Sequence, residues 1–270
     1  MSDAGTYMYK LAVINPLMEP VLRTAIQSLH LPVGSRGLDA GCGIGLQAML
    51  LAETVGPSGH VTGIDLSSEL LSCAEATAFN RGLSEQTSFH VGDVRQLPSG
   101  DSSFDWAWSS NCVGYAPLEP QPLVRELTRV VRPGGTVAIF AWSSETLLPG
   151  YPALEARLDA TAAGIAPFVE GKKPELHFLR ALGWFRAAGL KELHVRTFVG
   201  DAYAPLSDDL RLALTALLEM RWTDIESELS PEDWNKYRRL CLPGSPEFVL
   251  NQADYYAFFT CTMIRGLVGS

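Results

Sequence analysis

The sequence is short of positive charge. Its 21 lysine and arginine residues are outnumbered by 30 aspartates and glutamates, so the formal net charge at pH 7 is −9. A chain with this balance lacks the broad positive field by which proteins hold nucleic acid nonspecifically or dock on anionic membranes. We therefore expect neither nucleic acid nor a membrane among the partners of this protein.

Cysteine is also scarce, with five residues in 270. Their number is odd, and no CxxC pair or cysteine–histidine cluster gives them the spacing of a disulfide framework or a zinc site. We therefore expect no bound metal and a reduced, cytoplasmic environment.

Long apolar runs are missing as well. The most apolar stretch, 130–142, is interrupted by Arg132 and Pro133 and is too short to cross a bilayer. The first ten residues include Asp3, and no apolar segment of the kind found in signal peptides follows them. These absences predict a protein without membrane insertion.

What the sequence does have is a hydrophobic fraction of 47% and a regular alternation of short apolar runs with helical patterns. Alternation at this spacing indicates βαβ units around a buried parallel sheet. Ser67 or Ser68 is expected to cap one of the helices. Strands are predicted at 37–40, 61–64, 88–91, 104–108 and 136–141, with helices at 46–52, 69–79 and 123–131.

The second half of the chain is less regular. We predict helices around 153–163 and over 175–188, a strand over 192–199, and a last strand over 255–268 that closes the sheet. Residues 144–174 are rich in alanine, proline and glycine, while Ser207 and Ser230 each begin an acidic helix-start pattern. Residues 144–174 and 200–250 are therefore interpreted as helical insertions.

The most informative segment is Leu-Asp-Ala-Gly-Cys-Gly-Ile-Gly at 38–45, between a predicted strand and a predicted helix. Glycines in such a turn let the backbone approach a ligand closely, and the helix start presents free N–H groups. A dinucleotide-binding turn would need a further glycine at Leu46. Asp39, two residues before the first glycine, would repel a pyrophosphate but suits a cationic group. The alternative is that Asp39 only ties the turn together by accepting backbone N–H groups.

Two further acids follow the next two predicted strands. Asp65 could accept both hydroxyls of a ribose, and Asp93 could accept an exocyclic amine such as that of adenine, with Leu66 or Val94 packed on the base. The simpler alternatives are a helix-start acid at position 65 and a turn-forming acid at position 93. Acids at the ends of successive parallel strands face one crevice. A ribose, a purine amine and a cationic tail together describe S-adenosylmethionine.

The chain resembles the class I S-adenosylmethionine-dependent methyltransferases, in particular the group of the ubiquinone and menaquinone C-methyltransferases. The resemblance lies in the glycine turn, in the segments that end in Asp65 and Asp93, and in 104–105 and 127–135. The resemblance covers roughly residues 35–142. It implies a doubly wound, Rossmann-like α/β sheet of seven strands, the last antiparallel, with helices on both faces and a helical insertion. It also implies S-adenosylmethionine as methyl donor, S-adenosylhomocysteine as product, and no metal. The cofactor-binding residues that it implies are Asp39, Gly41, Cys42, Gly43, Gly45, Asp65, Leu66, Gly92, Asp93, Val94 and Ser109.

The methyl acceptor should face the end of the fourth predicted strand. Asn111 and Tyr115 are candidates there, although members of the family often carry a histidine near position 115, and Tyr115 could equally be a packing aromatic. Trp142 could line the same pocket or belong to the core. His177 is the one histidine that we consider for the pocket, against a more ordinary structural role. The Asp/Asn-Pro-Pro-aromatic signature of amino-methylating nucleic-acid enzymes is absent here, where Ser-Ser-Asn-Cys stands.

We expect a single domain over 1–270, with a cofactor-binding core at 36–142 and a cap over the acceptor formed by the two insertions. Tyr7 and Tyr9 could add a lid, whereas 200–250 could instead be scaffold or a homodimer contact, so the oligomeric state stays open. The predicted function is methyl transfer to a small organic molecule by in-line displacement at the sulfonium methyl. The alternative is a non-catalytic S-adenosyl-ligand-binding module whose insertion contacts a protein partner.

Overall fold

Seven strands form one sheet in the order β3-β2-β1-β4-β5-β7-β6. The computed structural model describes residues 3–112, 119–165 and 173–269. Strands β1 to β5 pair in parallel, and β7 is antiparallel to both of its neighbours. This is the predicted doubly wound sheet with an antiparallel last strand. The strands are β1 (Arg36–Ala40), β2 (His60–Asp65), β3 (Thr87–Val91), β4 (Phe104–Ser110), β5 (Val131–Thr146), β6 (Lys191–Tyr203) and β7 (Tyr256–Leu267).

Helices cover both faces of the sheet, and further helices lie within the two segments interpreted as insertions. Short 3₁₀ turns over Pro174–Leu176, Phe178–Arg180, Glu226–Glu228 and Val249–Asn251 connect some of them. The α-helices are α1 (Asp3–Gln27), α2 (Leu46–Val55), α3 (Ser68–Asn80), α4 (Pro120–Val130), α5 (Pro152–Asp159), α6 (Ala162–Ile165), α7 (Ala181–Ala187), α8 (Asp208–Arg221) and α9 (Pro231–Cys241).

Two hydrophobic cores lie on opposite faces of the sheet because successive strand residues point to opposite sides. One core joins the sheet to α1, α2, α3 and α8 and includes Ile26, Met49 and Trp108. The other joins the sheet to α4 and α7 and includes Leu38 and Phe185. Since each face is buried, the strands read as nearly continuous apolar runs, which is why the sequence revealed them.

Local sequence signals account for several helix ends. The Ser67 hydroxyl accepts the Leu70 N–H at 3.3 Å and caps α3. Pro120 begins α4 in the first helical turn, where a missing N–H costs nothing. Gly189 follows α7 with φ 82°, the left-handed conformation that commonly ends a helix.

Three parts of the fold differ from the sequence prediction. The 25-residue helix α1 was not predicted; it contains Pro16 and Pro20, which disfavour a helix, and tertiary packing of its second half overrides them. The helix predicted over 175–188 is two 3₁₀ turns followed by the shorter α7. Strands β5 and β6 extend to Thr146 and Tyr203, into the segments predicted to be helical, because both find partners along the 12-residue β7.

Candidate functional site

The predicted site lies at the carboxyl edge of the sheet, beside the switch point between β1 and β4. The chain winds outward from β1 to β3 on one side and from β4 to β5 on the other, which leaves a crevice above β1. The structure brings two of the predicted segments into contact there. Gly41 N–H donates to the Ile64 carbonyl at 2.8 Å, and Gly43 N–H donates to Asp65 Oδ2 at 2.9 Å.

The glycine turn needs its glycines for backbone conformation and for space. Gly41, Gly43 and Gly45 have φ angles of 78°, 54° and 76°, a region that other residues rarely adopt. A Cβ atom at position 41 would lie 2.9 Å from Cys112 Sγ. One at position 45 would lie 2.7 Å from Ala74 Cβ, so Gly45 lets the start of α2 pack directly on α3.

Close packing continues beneath and beside the turn. A Cβ atom on Gly63 would lie 2.9 Å from Cys42 Sγ, and one on Gly92 would lie 3.0 Å from Ile64 Cγ2. Burial raises the pKa of the Cys42 thiol well above its usual range and that of the Cys112 thiol to about 11. Both side chains are therefore neutral thiols at physiological pH and serve as packing groups.

Asp39 is the most unusual group of the site. Asp39 is only 1% exposed. Its carboxylate accepts the backbone N–H of Ala48 in α2, and its Oδ2 has no hydrogen-bond partner. Burial and the neighbouring Asp65 raise the pKa of Asp39 to about 7. One part of the carboxylate thus ties the helix start to β1, as the simpler interpretation holds, while Oδ2 remains available to a donor or a cation. A buried polar atom without a partner is costly and calls for such a group.

Asp65 links the end of β2 to the turn. Its Oδ2 accepts the Gly43 N–H and its Oδ1 accepts the Ser67 N–H at 3.0 Å. Each carboxylate oxygen can still accept a further hydrogen bond, so two ribose hydroxyls can be added without breaking these contacts. Leu66, the next residue, is 63% exposed and offers an apolar surface beside the carboxylate.

Asp93 follows β3 and is held in a turn. Its carbonyl accepts the Gln96 N–H at 2.9 Å, and its carboxylate accepts both the backbone N–H and the guanidinium of Arg95. These hydrogen bonds from Arg95 hold the pKa of Asp93 below its usual range. Val94 is buried in the core below. The turn-forming role considered for Asp93 is therefore present in the structure.

The end of β4 is fixed to its two neighbouring strands. The buried Ser109 Oγ donates to the Ala40 carbonyl at 2.8 Å. Asn111 has a left-handed φ of 48°, its N–H donates to the Phe140 carbonyl at 2.8 Å, and its Oδ1 accepts the Trp142 N–H at 3.1 Å. Both predicted site residues therefore make structural contacts at the edge of the crevice.

The comparisons with known proteins agree with this geometry. A protein-family model described as a methyltransferase domain matches residues 38–139, which include the glycine turn and all three acids. Residues 38–139 therefore form a methyltransferase domain.

Relatives of the methyltransferase domain match it over part of their length. Methyltransferase GfsG from Streptomyces halstedii is 36% identical over 129 residues, which make up 47% of this chain and 45% of that protein. A demethylmenaquinone methyltransferase from Geobacillus kaustophilus is 34% identical over 122 residues, 45% of this chain and 51% of that protein. The matches thus span about half the length of these relatives.

The fold of the whole chain has solved counterparts. The YcgJ protein from Bacillus subtilis superposes with a TM-score of 0.58 at 18% identity, over 93% of this chain and 99% of that one. At this identity the likeness shows a shared fold.

Helix α1 contributes to the crevice of the methyltransferase domain. Leu11 Cδ1 lies 3.8 Å from the position that a Cβ atom on Gly43 would take. Burial and the charges of Asp65 and Cys112 raise the pKa of Tyr7, although the residue as a whole is 51% exposed. The tyrosine fits the lid considered from the sequence, but no pattern had indicated the helix that carries it.

A buried ionic cluster lies where β5 leaves the domain. Glu145, whose side chain is 3% exposed, accepts hydrogen bonds from the Trp142 indole and the Arg221 guanidinium. Arg221 also donates to the Gly164 carbonyl, and Trp142 stacks on Phe259 with ring centroids 4.4 Å apart. The cluster anchors α8 and α6 to β5. Sequence reasoning missed Glu145 and Arg221 because they are 76 residues apart and no local pattern couples them.

Two predicted site residues remain, Tyr115 and His177. Tyr115 lies outside the described residues. His177 lies between two 3₁₀ turns, where its Nδ1 accepts the Leu179 N–H at 3.2 Å, a contact of a structural kind.

The parts of the chain that the structure describes hold no group of three histidine, cysteine or acidic side chains arranged for a metal ion. No helix within those parts has both the length and the apolar character needed to cross a bilayer.

Proposed function

We propose that the whole chain transfers a methyl group from S-adenosylmethionine to a small organic molecule. The observation that carries the proposal is the unpartnered Oδ2 of Asp39, buried beneath a glycine turn inside a methyltransferase domain. A buried acid that lacks a partner is stabilised by a cationic group, and an amino-acid ammonium supplies one. A pyrophosphate would be repelled there.

The residues present fit the cofactor. Asp39 and the turn at Gly41 to Gly45 would hold its methionine end, and Asp65 its ribose, with Leu66 as an apolar neighbour of the base. The remaining predicted contacts, Cys42, Gly92, Asp93, Val94 and Ser109, line or support the same edge. When bound, S-adenosylmethionine supplies an electrophilic methyl group on a sulfonium. The chain's own contribution is to align the two reactants and to exclude water, since in-line displacement depends on both.

The proposal extends to the organisation of the chain. Residues 36–142 are the cofactor-binding core of one domain over 1–270, and 144–174 with 200–250 form the cap over the acceptor. The cluster of Glu145 and Arg221 supports this division, because it fastens parts of both insertions to the end of β5. Asn111, Tyr115 and Trp142 are proposed for the acceptor side, and His177 stays a weaker candidate.

Two observations support a small molecule as the acceptor. The net charge of −9 disfavours a nucleic-acid substrate. One relative is named for the substrate demethylmenaquinone. The non-catalytic alternative gains no support, since both relatives described above are named methyltransferases.

Calorimetric titration with S-adenosylhomocysteine tests the cofactor part of the proposal. We expect binding by the wild-type protein and at least ten-fold weaker binding by Asp65→Ala, because two charge-assisted hydrogen bonds would be lost. Asp254→Ala, at an exposed position near the start of β7, is the control and should bind normally. Absence of binding by folded wild-type protein would refute the proposal.

A further inference from the structure

Arg95 engages both oxygens of the Asp93 carboxylate. Its Oδ1 accepts the Arg95 backbone N–H at 2.8 Å and Nε at 3.0 Å. Its Oδ2 accepts Nε at 2.9 Å and the terminal nitrogen Nη2 at 2.5 Å. Three N–H groups of Arg95 thus engage the carboxylate, and the Nε–H is shared between its two oxygens.

Two exposed apolar side chains lie at the adjacent ends of β2 and β3, close in sequence to Asp65 and Asp93. Leu66 and Val91, on the two neighbouring strand ends, are both more than half exposed, which is unusual for branched apolar residues at the end of a buried sheet. On the proposed function, the adenine of the cofactor lies here and its exocyclic amine is directed at Asp93. The guanidinium of Arg95 therefore stands where that amine would donate.

We propose that Arg95 is a specificity-determining residue that competes with the adenine amine for Asp93. This inference rests on the proposed function. The guanidinium and the amine are both N–H donors, so only one of them can take a given oxygen lone pair. A purine with a carbonyl oxygen at position 6 would instead be repelled by Asp93 and accept a hydrogen bond from Arg95. The residue thus weakens binding of an aminopurine and tolerates an oxopurine.

The guanidinium of Arg95 can be removed without loss of the backbone hydrogen bonds that form the turn. Alanine at position 95 keeps the backbone N–H that bonds Oδ1, and the Gln96 N–H still bonds the Asp93 carbonyl. The Arg95 side chain is 50% exposed, so its removal leaves no buried cavity. Arg95→Ala is therefore expected to free the carboxylate while leaving its orientation unchanged.

The experiment is calorimetric titration of the full-length protein with S-adenosylhomocysteine and with its deaminated analogue, S-inosylhomocysteine. We expect Arg95→Ala to bind S-adenosylhomocysteine about two- to five-fold more tightly, the range set by breaking an exposed ion pair. The same variant should bind the inosyl analogue less tightly than wild type does. In an Asp93→Asn background the gain for S-adenosylhomocysteine should disappear, a coupling that a merely structural role would not produce.

Arg157→Ala is the matched control. Arg157 has the same side-chain exposure of 50% and a two-pronged ion pair with Asp233 at 2.7 and 2.8 Å, remote in sequence from the turn. Its removal should leave both affinities unchanged. Unchanged or weaker binding of S-adenosylhomocysteine by Arg95→Ala would overturn the role of Arg95 while leaving the proposed function intact. Failure of the wild-type protein to bind S-adenosylhomocysteine would overturn the proposed function itself.

Discussion

At the scale of the residue, the carboxylate of Asp39 combines a structural contact with a buried oxygen that has no partner. One part accepts the Ala48 N–H and secures the start of α2, which has no side-chain cap of its own. Oδ2 is left without a partner in a buried position. The two interpretations considered from the sequence are therefore compatible, because a carboxylate has enough acceptor positions for both.

The raised pKa of Asp39 predicts a pH-dependent stability of the protein without ligand. The folded protein binds this proton more tightly than the unfolded chain, so the free energy of unfolding falls as the pH rises from about 4 to about 7. Asp39→Asn lacks this dependence and should gain stability relative to wild type across that window. We expect the relative gain to reach a few kcal/mol, since one unit of pKa corresponds to about 1.4 kcal/mol.

Urea unfolding at several pH values between 4 and 8 measures this difference. Asp201→Asn, at an exposed position on β6, is the control and should follow wild type. A constant difference between Asp39→Asn and wild type over the whole range would contradict the prediction. The same variant should also lose affinity for S-adenosylhomocysteine, because an amide cannot pair with a cation.

At the scale of the element, the glycine turn joins β1 to α2 and sets the distance between α2 and α3. Gly45 is the N-cap of α2 in a left-handed conformation, and its Cα faces Ala74 across the helix contact. A ligand-binding turn is thus also a packing interface. We expect substitutions here to affect folding and binding together.

Gly45→Ala tests this coupling. A left-handed alanine costs roughly 1–2 kcal/mol, and the new Cβ would lie 2.7 Å from Ala74 Cβ and 3.2 Å from its Cα, which adds about 1–3 kcal/mol of overpacking. Gly82→Ala is the matched control, since Gly82 has a similar φ of 68° and open space around it. Thermal unfolding should show a loss for Gly45→Ala well beyond that of the control. Equal losses would mean that backbone strain alone matters.

The elements differ in how far the sequence predicted them. Strands β1 to β5 and the turn were predictable because apolar runs, Asp39 and the glycines are local signals. Helix α1 was not, since its prolines argue against a helix and contacts with α8, β6 and α2 hold it in place. The pair of Glu145 and Arg221 and the hydrogen bonds from Arg95 to Asp93 depend on side-chain geometry, which no sequence period encodes.

At the scale of the whole molecule, the sheet carries the proposed site, and the helices added around it are proposed to control the access of the acceptor. A doubly wound fold places its site at the switch point whatever the reaction, so the acceptor must be selected by the parts around that point. On the proposed function, those parts are α1 and the two insertions, parts of which Arg221 fastens to β5.

The two halves of α1 should respond differently to ligand. Leu17, Val21 and Ile26 are buried in the core, whereas 5–15 contains no buried residue and lies partly over the crevice through Tyr7 and Leu11. Pro16 lacks an N–H group and interrupts the helical hydrogen bonds between these halves.

Saturation with S-adenosylhomocysteine should therefore slow amide hydrogen exchange in 5–15 and leave the second half, already protected, nearly unchanged. At a ligand concentration of about 100 Kd the global stability should also rise by about 2.7 kcal/mol, which gives a second, independent measure of occupancy. Leu11→Ala should reduce the protection of 5–15 more than Leu212→Ala, at an exposed position on α8, does. If the ligand raises global stability but exchange in 5–15 stays fast, the helix does not cover the bound cofactor, and only the insertions remain to close the site.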